Sequence, residues 1–232
     1  MKAALISVIV PAFNAARFIG KAILSIQNQD YANLEIIVID DASTDRTTEI
    51  AGGFDVTLIR HAQNQGAASA RNTGIVQARG ALMAFLDADD EWLPGKLATQ
   101  VQTLQAHPHL IGVTGFLKVV SGSLEPAKVI AQFVPSFGTA LFKREVFDLV
   151  GLPNPEFRLC DDVDWFNRVQ ESGQNLAVLP RVVLQCLRHD TNLSANPQLN
   201  NFWLMKVMQQ RLRRMSKQKL DLKPVIQLEG MA

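Results

Sequence analysis

Three acidic clusters in this 232-residue sequence contain residue types and spacings that could do chemistry. They are Asp40-Asp41, Asp87-Ala88-Asp89-Asp90 and Asp161-Asp162-Val163-Asp164. Carboxylates grouped in this way repel one another unless they are solvated, protonated or bridged by a cation. Mg²⁺ and Mn²⁺ prefer oxygen ligands and typically bind through one or two carboxylates plus substrate phosphates. The middle cluster therefore predicts a divalent-ion site that receives phosphates, although solvated turn acids would give the same short motif.

The other two clusters each have a chemical and a structural interpretation. In Asp40-Asp41, one carboxylate could accept a hydrogen bond from a nucleobase, since uracil and thymine each carry one suitable N–H. The alternative is a helix N-cap, in which Asp41 or Ser43 accepts backbone N–H groups. In the third cluster, one carboxylate at the start of a predicted helix could serve as a general base. Acids at that position also interact favourably with the helix dipole, which is the structural alternative.

Arg71 is a cationic candidate among these acids. It follows five small residues, Gly66-Ala67-Ala68-Ser69-Ala70, which permit a ligand to approach the backbone closely. A guanidinium group at this point could bind a nucleobase or a diphosphate. The alternative is an ordinary arginine on a helix surface.

Alternating apolar and amphipathic segments predict the elements that must position these residues. Buried strands are predicted over residues 5–10, 34–39, 56–59, 81–86 and 111–120, and helices over residues 16–28, 43–52, 66–77 and 94–107. This alternation indicates a parallel sheet with helices on both sides. Ligands bind beyond the carboxyl ends of the strands in such sheets. Asp40-Asp41 follows the second strand, the middle cluster follows the fourth, and Pro11 to Asn14 follows the first.

The regular alternation of strands and helices ends in the second half of the chain. Helices are predicted over residues 142–150, 161–172 and 197–215, and short strands over residues 176–179 and 182–187 on either side of Pro180. We therefore expect one α/β domain with three parts. Residues 1–120 form the ligand-binding half, residues 121–195 the half with the candidate general base, and residues 196–232 a basic C-terminal helix and tail.

The composition excludes several classes of protein. Hydrophobic residues make up 47% and charged residues 19% of the chain, which excludes disorder for its bulk. The net charge of +1 gives no overall attraction to nucleic acid. No GxGxxG or Walker A motif is present, so neither a dinucleotide site nor a P-loop is supported. Because no run approaches ~20 apolar residues, we expect no transmembrane helix. Cys160 and Cys186 have no zinc or CxxC spacing and fit a reducing cytosol.

The positive charge is concentrated at the C-terminus. Residues 202–232 contain 7 Lys and Arg against 2 Asp and Glu, whereas residues 1–201 contain 16 against 20. Between residues 202 and 219, apolar and basic side chains alternate at helical spacing. This segment could lie on an anionic membrane surface, or it could dock on the domain with a solvated basic face.

The order and spacing of these motifs, rather than any one of them, resemble the family-2 inverting glycosyltransferases with the GT-A fold. That fold has a Rossmann-like, mainly parallel sheet flanked by helices. The resemblance extends over roughly residues 4–195, and it implies that residues 1–120 bind a nucleotide sugar and that residues 121–195 hold the acceptor and the catalytic base. Its matching stretches are residues 7–14, 38–47, 70–74, 85–90, 142–151, 161–168 and 188–194.

The resemblance implies a role for each candidate residue at the nucleotide. Asp41 would contact the nucleobase, with Asp40 beside it. Pro11 and Asn14 would line the nucleotide pocket, and Arg71 would support the base or the diphosphate.

At the sugar, the resemblance implies a metal site and a general base. Asp89 would be the principal ligand of Mg²⁺ or Mn²⁺, and Asp87 would lie near the ribose and the metal. Asp162 would be the catalytic base. His189 would approach the metal or the diphosphate, as an equivalent histidine does in some members, although a histidine after an apolar strand also has a structural alternative.

Three departures from the family pattern bear on the function. Asp161-Asp162 replaces the common Glu-Asp pair, which shortens the reach of the first carboxylate by one methylene. Phe13 replaces the frequent tyrosine. The Gln-x-x-Arg-Trp motif is missing, which argues against a processive synthase and favours the transfer of a single sugar.

The resemblance thus implies a cytoplasmic, metal-dependent inverting glycosyltransferase at or near the inner face of the membrane. Its donor would be a nucleoside-diphosphate sugar, with UDP-sugars favoured, and its acceptor a glycan or a lipid-linked sugar in cell-envelope, polysaccharide or glycolipid synthesis. Two alternatives remain open. One is an inactive module that only binds a sugar nucleotide, and the other is a metal-dependent nucleotidyl or phosphoryl transferase.

Overall fold

A mixed β-sheet runs through the centre of the protein and carries helices on both faces. The computed structural model describes residues 3–121, 131–189, 192, 196–217 and 226–227. The strands are β1 (Ile6–Ala12), β2 (Leu34–Asp40), β3 (Thr57–Arg60), β4 (Leu82–Phe85), β5 (Glu91–Trp92), β6 (Leu110–Ser121), β7 (Ala131–Gln132), β8 (Leu141–Lys143), β9 (Asn175–Arg188) and β10 (Ile226–Gln227). The helices are α1 (Ile19–Gln27), α2 (Thr47–Ala51), α3 (Ala67–Gln77), α4 (Lys96–Ala106), α5 (Glu145–Val150), α6 (Asp161–Glu171) and α7 (Pro197–Lys217), with a 3₁₀ turn at Phe137–Thr139.

The strand order is β10-β9-β6-β8-β4-β1-β2-β3. Strands β4, β1, β2 and β3 are parallel to one another, and β8 is antiparallel to both of its neighbours, β4 and β6. Strand β6 is parallel to β9. The predicted, mainly parallel sheet with flanking helices is therefore confirmed, and one sheet joins the two halves of the chain.

Residues along the central strands alternate between two hydrophobic cores. In β1, Val8 and Val10 pack with α1 and α4, whereas Ile9 packs on the other face with α3 and α6. Since β-branched residues fill both faces, the run is apolar without interruption, as expected for a strand covered on both sides.

Two predictions for the second half of the chain are wrong. The helix predicted from Phe142 begins only at Glu145, because Leu141 and Phe142 are buried in β8 and pair with β4 and β6. The two short strands predicted around Pro180 are one strand, β9. The register between β6 and β9 shifts beside Pro180, so that the residue without an N–H lies at an irregular point of the ladder.

Helix α7 is attached to α6 through polar contacts. Arg211 donates to the side-chain oxygen of Asn167 at 2.7 Å, and Arg214 donates to Glu171 at 2.7 Å and to Asp164 at 2.9 Å. The helix thus docks on the domain, but two of its arginines face inward rather than solvent. Among the described residues, none of the helices combines the length and the apolar character needed to cross a membrane.

Candidate active site

The predicted residues meet at one edge of the sheet. Strands β4, β1 and β2 are adjacent and parallel, so their carboxyl ends lie side by side. Ala12 at the end of β1 pairs with Asp40 at the end of β2. Pro11 is buried within β1, whereas Phe13 and Asn14 lie exposed just beyond that strand.

Hydrogen bonds tie the loop after β1 to the loop after β2. The backbone N–H of Asn14 donates to Ser43 Oγ at 2.9 Å, and Asn14 Oδ1 accepts from the N–H of Thr44 at 2.8 Å. The N–H of Ala15 donates to Thr47 Oγ1 at 2.7 Å. Asn14 has a φ of 50°, a left-handed conformation that asparagine tolerates better than most residues. The two loops therefore form one rigid wall.

Asp40 is fully buried and is engaged within the protein. Its Oδ1 accepts from the N–H of Ser43 at 2.9 Å, and its Oδ2 accepts from the hydroxyl of Thr48. Arg60 Nε lies 3.5 Å from the same Oδ2. These contacts hold the loop that leads into α2, so Asp40 shapes the wall of the site from behind.

Asp41 likewise has donors on both of its oxygens. The N–H of Gln65 lies 2.9 Å from Oδ1, and the N–H of Gly66 lies 2.7 Å from Oδ2. His61 Nδ1 lies 2.7 Å from Oδ1. Because Gly66 immediately precedes α3, Asp41 also links the carboxyl end of β2 to the start of that helix.

Arg71 on α3 joins two of the acidic clusters. Its Nη1 donates to Asp161 at 2.7 Å, and its Nη2 donates to Asp87 at 2.6 Å. Its guanidinium carbon lies 5.3 Å from the centroid of the Phe137 ring. Burial by itself would lower the pKa of Arg71, but the charges of Asp161 and Asp87 outweigh burial and raise it. Both terminal nitrogens of the guanidinium thus bind carboxylates.

Asp162 lies beside this bridge, in the first turn of α6. Burial, followed by the negative charge of Asp161, raises the pKa of Asp162 to about 7, against the opposing effect of Arg71. The pKa of Asp161 is also raised by burial, although its ion pair with Arg71 opposes the shift. The side chain of Asp162 is half-buried, and the left-handed Cys160, with a φ of 62°, starts the helix. A carboxylate with a pKa near neutrality is suited to accept a proton.

Asp89 contacts His189, which the chain brings from the far end of β9. Asp89 Oδ2 lies 3.1 Å from His189 Nε2 and accepts from Asn192 Nδ2 at 3.1 Å. The ring of His189 stacks on Phe18 at 4.4 Å. Burial and then the charge of Asp87 raise the pKa of Asp89, while His189 opposes this effect. Two adjacent carboxylates in partial burial would bind a cation favourably.

The donor set at this point fits a divalent ion that also binds phosphate. The side chains of Asp87 and Asp89 are 43% and 29% exposed, so both can reach a ligand at the surface. No three acidic, histidine or cysteine side chains of the described part of the chain form a complete metal site. Mg²⁺ and Mn²⁺ often obtain their remaining ligands from substrate phosphates and water.

Several residues of the site escaped the sequence analysis. His61 follows β3 just as Asp40-Asp41 follows β2, so the strand-end argument could have identified it. No sequence pattern indicates Phe137 or Asn192 as residues of the site, since each acts through a partner distant in sequence. Of the predicted stretch over residues 188–194, Ser194 lies outside the described residues.

One cavity lies elsewhere, at the amino ends of β2 and β3. Its volume is about 920 Å³, and its lining includes Tyr31, Glu35, Asp55 and Arg79. Glu35 accepts from Arg79 Nε at 2.9 Å and from the hydroxyl of Ser7 at 2.6 Å. Glu35 and Arg79 of this cavity therefore bind each other, and the clustered carboxylates lie at the opposite edge of the sheet.

Comparisons with known proteins agree with this geometry. The model of the family "Glycosyl transferase family 2" matches residues 7–159. Over 103 residues, 43% of this chain and 41% of the relative, the chain is 41% identical to the UDP-Glc:alpha-D-GlcNAc-diphosphoundecaprenol beta-1,3-glucosyltransferase WfgD of Escherichia coli. The chain spans between 45% and 52% of the length of several other curated relatives.

Two solved structures show the likeness of the fold. TarS of S. aureus in complex with UDP-GlcNAc superposes with a TM-score of 0.76 at 20% identity, over 94% of this chain and 68% of TarS. The mannosyltransferase PcManGT of Pyrobaculum calidifontis, in complex with GDP-Man and Mn²⁺, superposes with a TM-score of 0.73 at 24% identity, over 90% of this chain and 64% of PcManGT. Both likenesses confirm the predicted fold.

Proposed function

This chain belongs to glycosyl transferase family 2, and from that premise we propose that it transfers one sugar from a nucleoside-diphosphate sugar to an acceptor hydroxyl, with inversion. The observation that carries the proposal is the bridge made by Arg71. It connects Asp87, beside the predicted metal ligand, with Asp161, beside the predicted base. The start of its helix, α3, is fixed to Asp41 through the N–H of Gly66. A donor could therefore contact all three acidic clusters together.

The nucleoside-diphosphate sugar would lie along the three acidic clusters, with its nucleobase at Asp41. Pro11 and Asn14 would line the pocket, and Asp40 would stabilise its wall. A buried carboxylate accepts a hydrogen bond from the ring N–H of uracil or guanine. We favour a UDP-sugar, because UDP-Glc is in the name of a relative and UDP-GlcNAc is bound to TarS.

Mn²⁺ or Mg²⁺ would be held by Asp89, with Asp87 and His189 beside it. When bound, such an ion stabilises the negative charge that gathers on the departing diphosphate. Burial and then the nearby charge of Asp87 raise the pKa of Asp89, and the proximity of the two carboxylates supports this assignment. The Mn²⁺ in the PcManGT complex supports it as well.

Asp162 would act as the general base. As the acceptor oxygen forms a bond to the anomeric carbon, the bond from that carbon to the diphosphate breaks, and the hydroxyl proton passes to Asp162. A single displacement of this kind inverts the anomeric centre. With a pKa of about 7, Asp162 can accept the proton near neutral pH and pass it to solvent in the next cycle.

The acceptor would be a glycan or a lipid-linked sugar, contacted through residues 121–160. Residues 122–130 of that segment lie outside the described residues. We also propose that the predicted segment 202–219 contacts the inner face of the membrane peripherally. Residues 218 and 219 of this segment lie outside the described residues. In α7, Met205 and Leu212 are both 63% exposed, and Lys206 Nζ lies 4.7 Å from the centroid of the Phe202 ring. These side chains would provide the apolar and basic contacts. Co-sedimentation with anionic vesicles at low salt tests the contact, and Met205→Glu should weaken it.

Analysis of the products tests the proposed function. The protein is incubated with UDP-, TDP- and GDP-sugars, Mn²⁺ and lipid-linked or soluble sugar acceptors. We expect release of the nucleoside diphosphate and gain of one sugar by the acceptor. Nucleotide binding without turnover would support a binding module instead. Release of pyrophosphate or inorganic phosphate would indicate a nucleotidyl or phosphoryl transferase.

A further inference from the structure

His61 is fixed between two side chains directly behind the proposed nucleobase contact. It follows β3, and its side chain is only 8% exposed. Nδ1 lies 2.7 Å from Asp41 Oδ1, and Nε2 lies 2.9 Å from Thr73 Oγ1 on α3. Both ring nitrogens therefore have a partner, and the ring orientation is determined.

The hydrogen-bond network places a proton on Nδ1, facing Asp41, in both charge states of the ring. In the neutral form, the proton is on Nδ1 because the Asp41 carboxylate can only accept, and Nε2 is then the acceptor that faces the Thr73 hydroxyl. In the charged form both nitrogens donate, and the Thr73 hydroxyl can turn to the carbonyl of Ser69, 3.2 Å away. His61 is thus a permanent donor to Asp41.

Three donors saturate most of the acceptor capacity of Asp41. They are His61 Nδ1 and the backbone N–H groups of Gln65 and Gly66. An ionised carboxylate offers about four acceptor positions, so about one remains for a ligand. Because all three neighbours donate, they use Asp41 as an acceptor only.

We propose that His61 is a positioning residue that sets nucleobase specificity by holding Asp41 as a fixed acceptor. The inference rests on the proposed function. An acceptor at this point binds a base with a ring N–H, such as N3 of uracil or N1 of guanine. It rejects cytosine, because N3 of cytosine presents a lone pair to the carboxylate.

Calorimetric titration of UDP and CDP in the presence of Mn²⁺ measures this specificity without an acceptor. We expect wild-type protein to prefer UDP by roughly 10–100-fold, the range for a hydrogen bond to a charged group. The informative pair of variants is His61→Asn and His61→Gln. The Asn amide can reach the place of Nδ1 and donate to Asp41, whereas the Gln amide extends to the place of Nε2, near Thr73.

His61→Gln should lose most of the preference for UDP, and His61→Asn should retain most of it. Equal melting temperatures of the two variants would confirm that both are folded. A merely structural role of His61 would change stability or both affinities together and leave their ratio unchanged.

The possible failures are distinguishable. If wild-type protein binds UDP in preference to CDP and His61→Gln retains that ratio, the role of His61 is refuted while the proposed function stands. Equal affinity of wild-type protein for UDP and CDP would also refute the role of His61, because there would be no nucleobase specificity for it to set. If wild-type protein binds no nucleoside diphosphate at all, both proposals fail.

Discussion

The two ends of the candidate site neutralise their carboxylates in different ways. At the nucleobase end, Asp40 and Asp41 each have donors of their own, most of them backbone N–H groups or uncharged side chains. At the sugar end, four carboxylates share one arginine and one histidine. These four are Asp87, Asp89, Asp161 and Asp162, and the two shared side chains are those of Arg71 and His189.

Under the proposed function, this difference separates the residues that bind the nucleobase from those that take part in the transfer. The nucleobase end is complete within the protein and offers a fixed acceptor. The sugar end keeps an excess of negative charge, and burial together with mutual repulsion raises the pKa of Asp89, Asp161 and Asp162. A cation and a proton would relieve that repulsion, and both are what the proposed transfer requires there.

Removing the base should have the largest effect. In Asp162→Asn the amide cannot accept the acceptor proton, so we expect kcat to fall by about 10²–10⁴-fold. The affinity for UDP should change little, because the nucleobase end is untouched. Single-turnover assays and calorimetry measure the two quantities. Asp55→Asn, exposed at the opposite edge of the sheet, is the matched control. Turnover of Asp162→Asn at the rate of the control would exclude Asp162 as the base.

Loss of the principal metal ligand should have the next largest effect. In Asp89→Asn, one of two adjacent charges is gone, and we expect the affinity for UDP in Mn²⁺ to fall by about 10–100-fold. Without metal, the affinities of the variant and the wild-type protein should be similar. Calorimetric titration with Mn²⁺ and with a chelator tests this. A wild-type affinity that is the same in both conditions would contradict a metal at Asp89.

The sequence predicts the nucleobase end of the fold better than the sugar end. The predicted bounds of strands β1 and β2 agree with the structure to within two residues, because buried parallel strands produce uninterrupted β-branched runs. The strand-end rule then predicts the position of the clusters Asp40-Asp41 and Asp87-Ala88-Asp89-Asp90, whereas the choice of Asp41 and Asp89 within them comes from the family resemblance. The sugar end depends on long-range pairing. Strand β8 has only three residues, and its β-structure comes from β4 and β6 on either side. No local pattern shows that Arg71 contacts Asp161, 90 residues further along the chain.

The pH dependence of transfer should be controlled from the sugar end. The base acts only when it is deprotonated, so kcat should rise about tenfold per pH unit below the pKa of about 7 at Asp162 and level off above it. Arg71→Lys should move the midpoint to higher pH, because one ammonium cannot bridge two carboxylates as the guanidinium does. Rates from pH 5 to pH 9 test this. An unchanged midpoint in Arg71→Lys would mean that Arg71 does not influence the base.

Replacing one carboxylate by an amide should change the free energy of unfolding with opposite signs at the two ends of the site. These are the smallest effects that we expect. The pKa of Asp162 is about 7 in the folded protein and near 4 in an unfolded chain. Between those values the folded state binds more protons, so its stability falls as pH rises. Asp162→Asn removes that loss and should raise the free energy of unfolding at pH 8, by about 1–2 kcal/mol once partial exposure is considered, with little change at pH 4.

Asp40→Asn should instead lower the free energy of unfolding at pH 8, by about 1–3 kcal/mol, because the amide replaces one acceptor with a donor that faces the Ser43 N–H or the Thr48 hydroxyl. Urea unfolding of both variants at pH 4 and pH 8 separates the two cases. If Asp162→Asn destabilises the protein at pH 8 as Asp40→Asn does, Asp162 is a structural carboxylate like Asp40, and the distinction between the two ends of the site is lost.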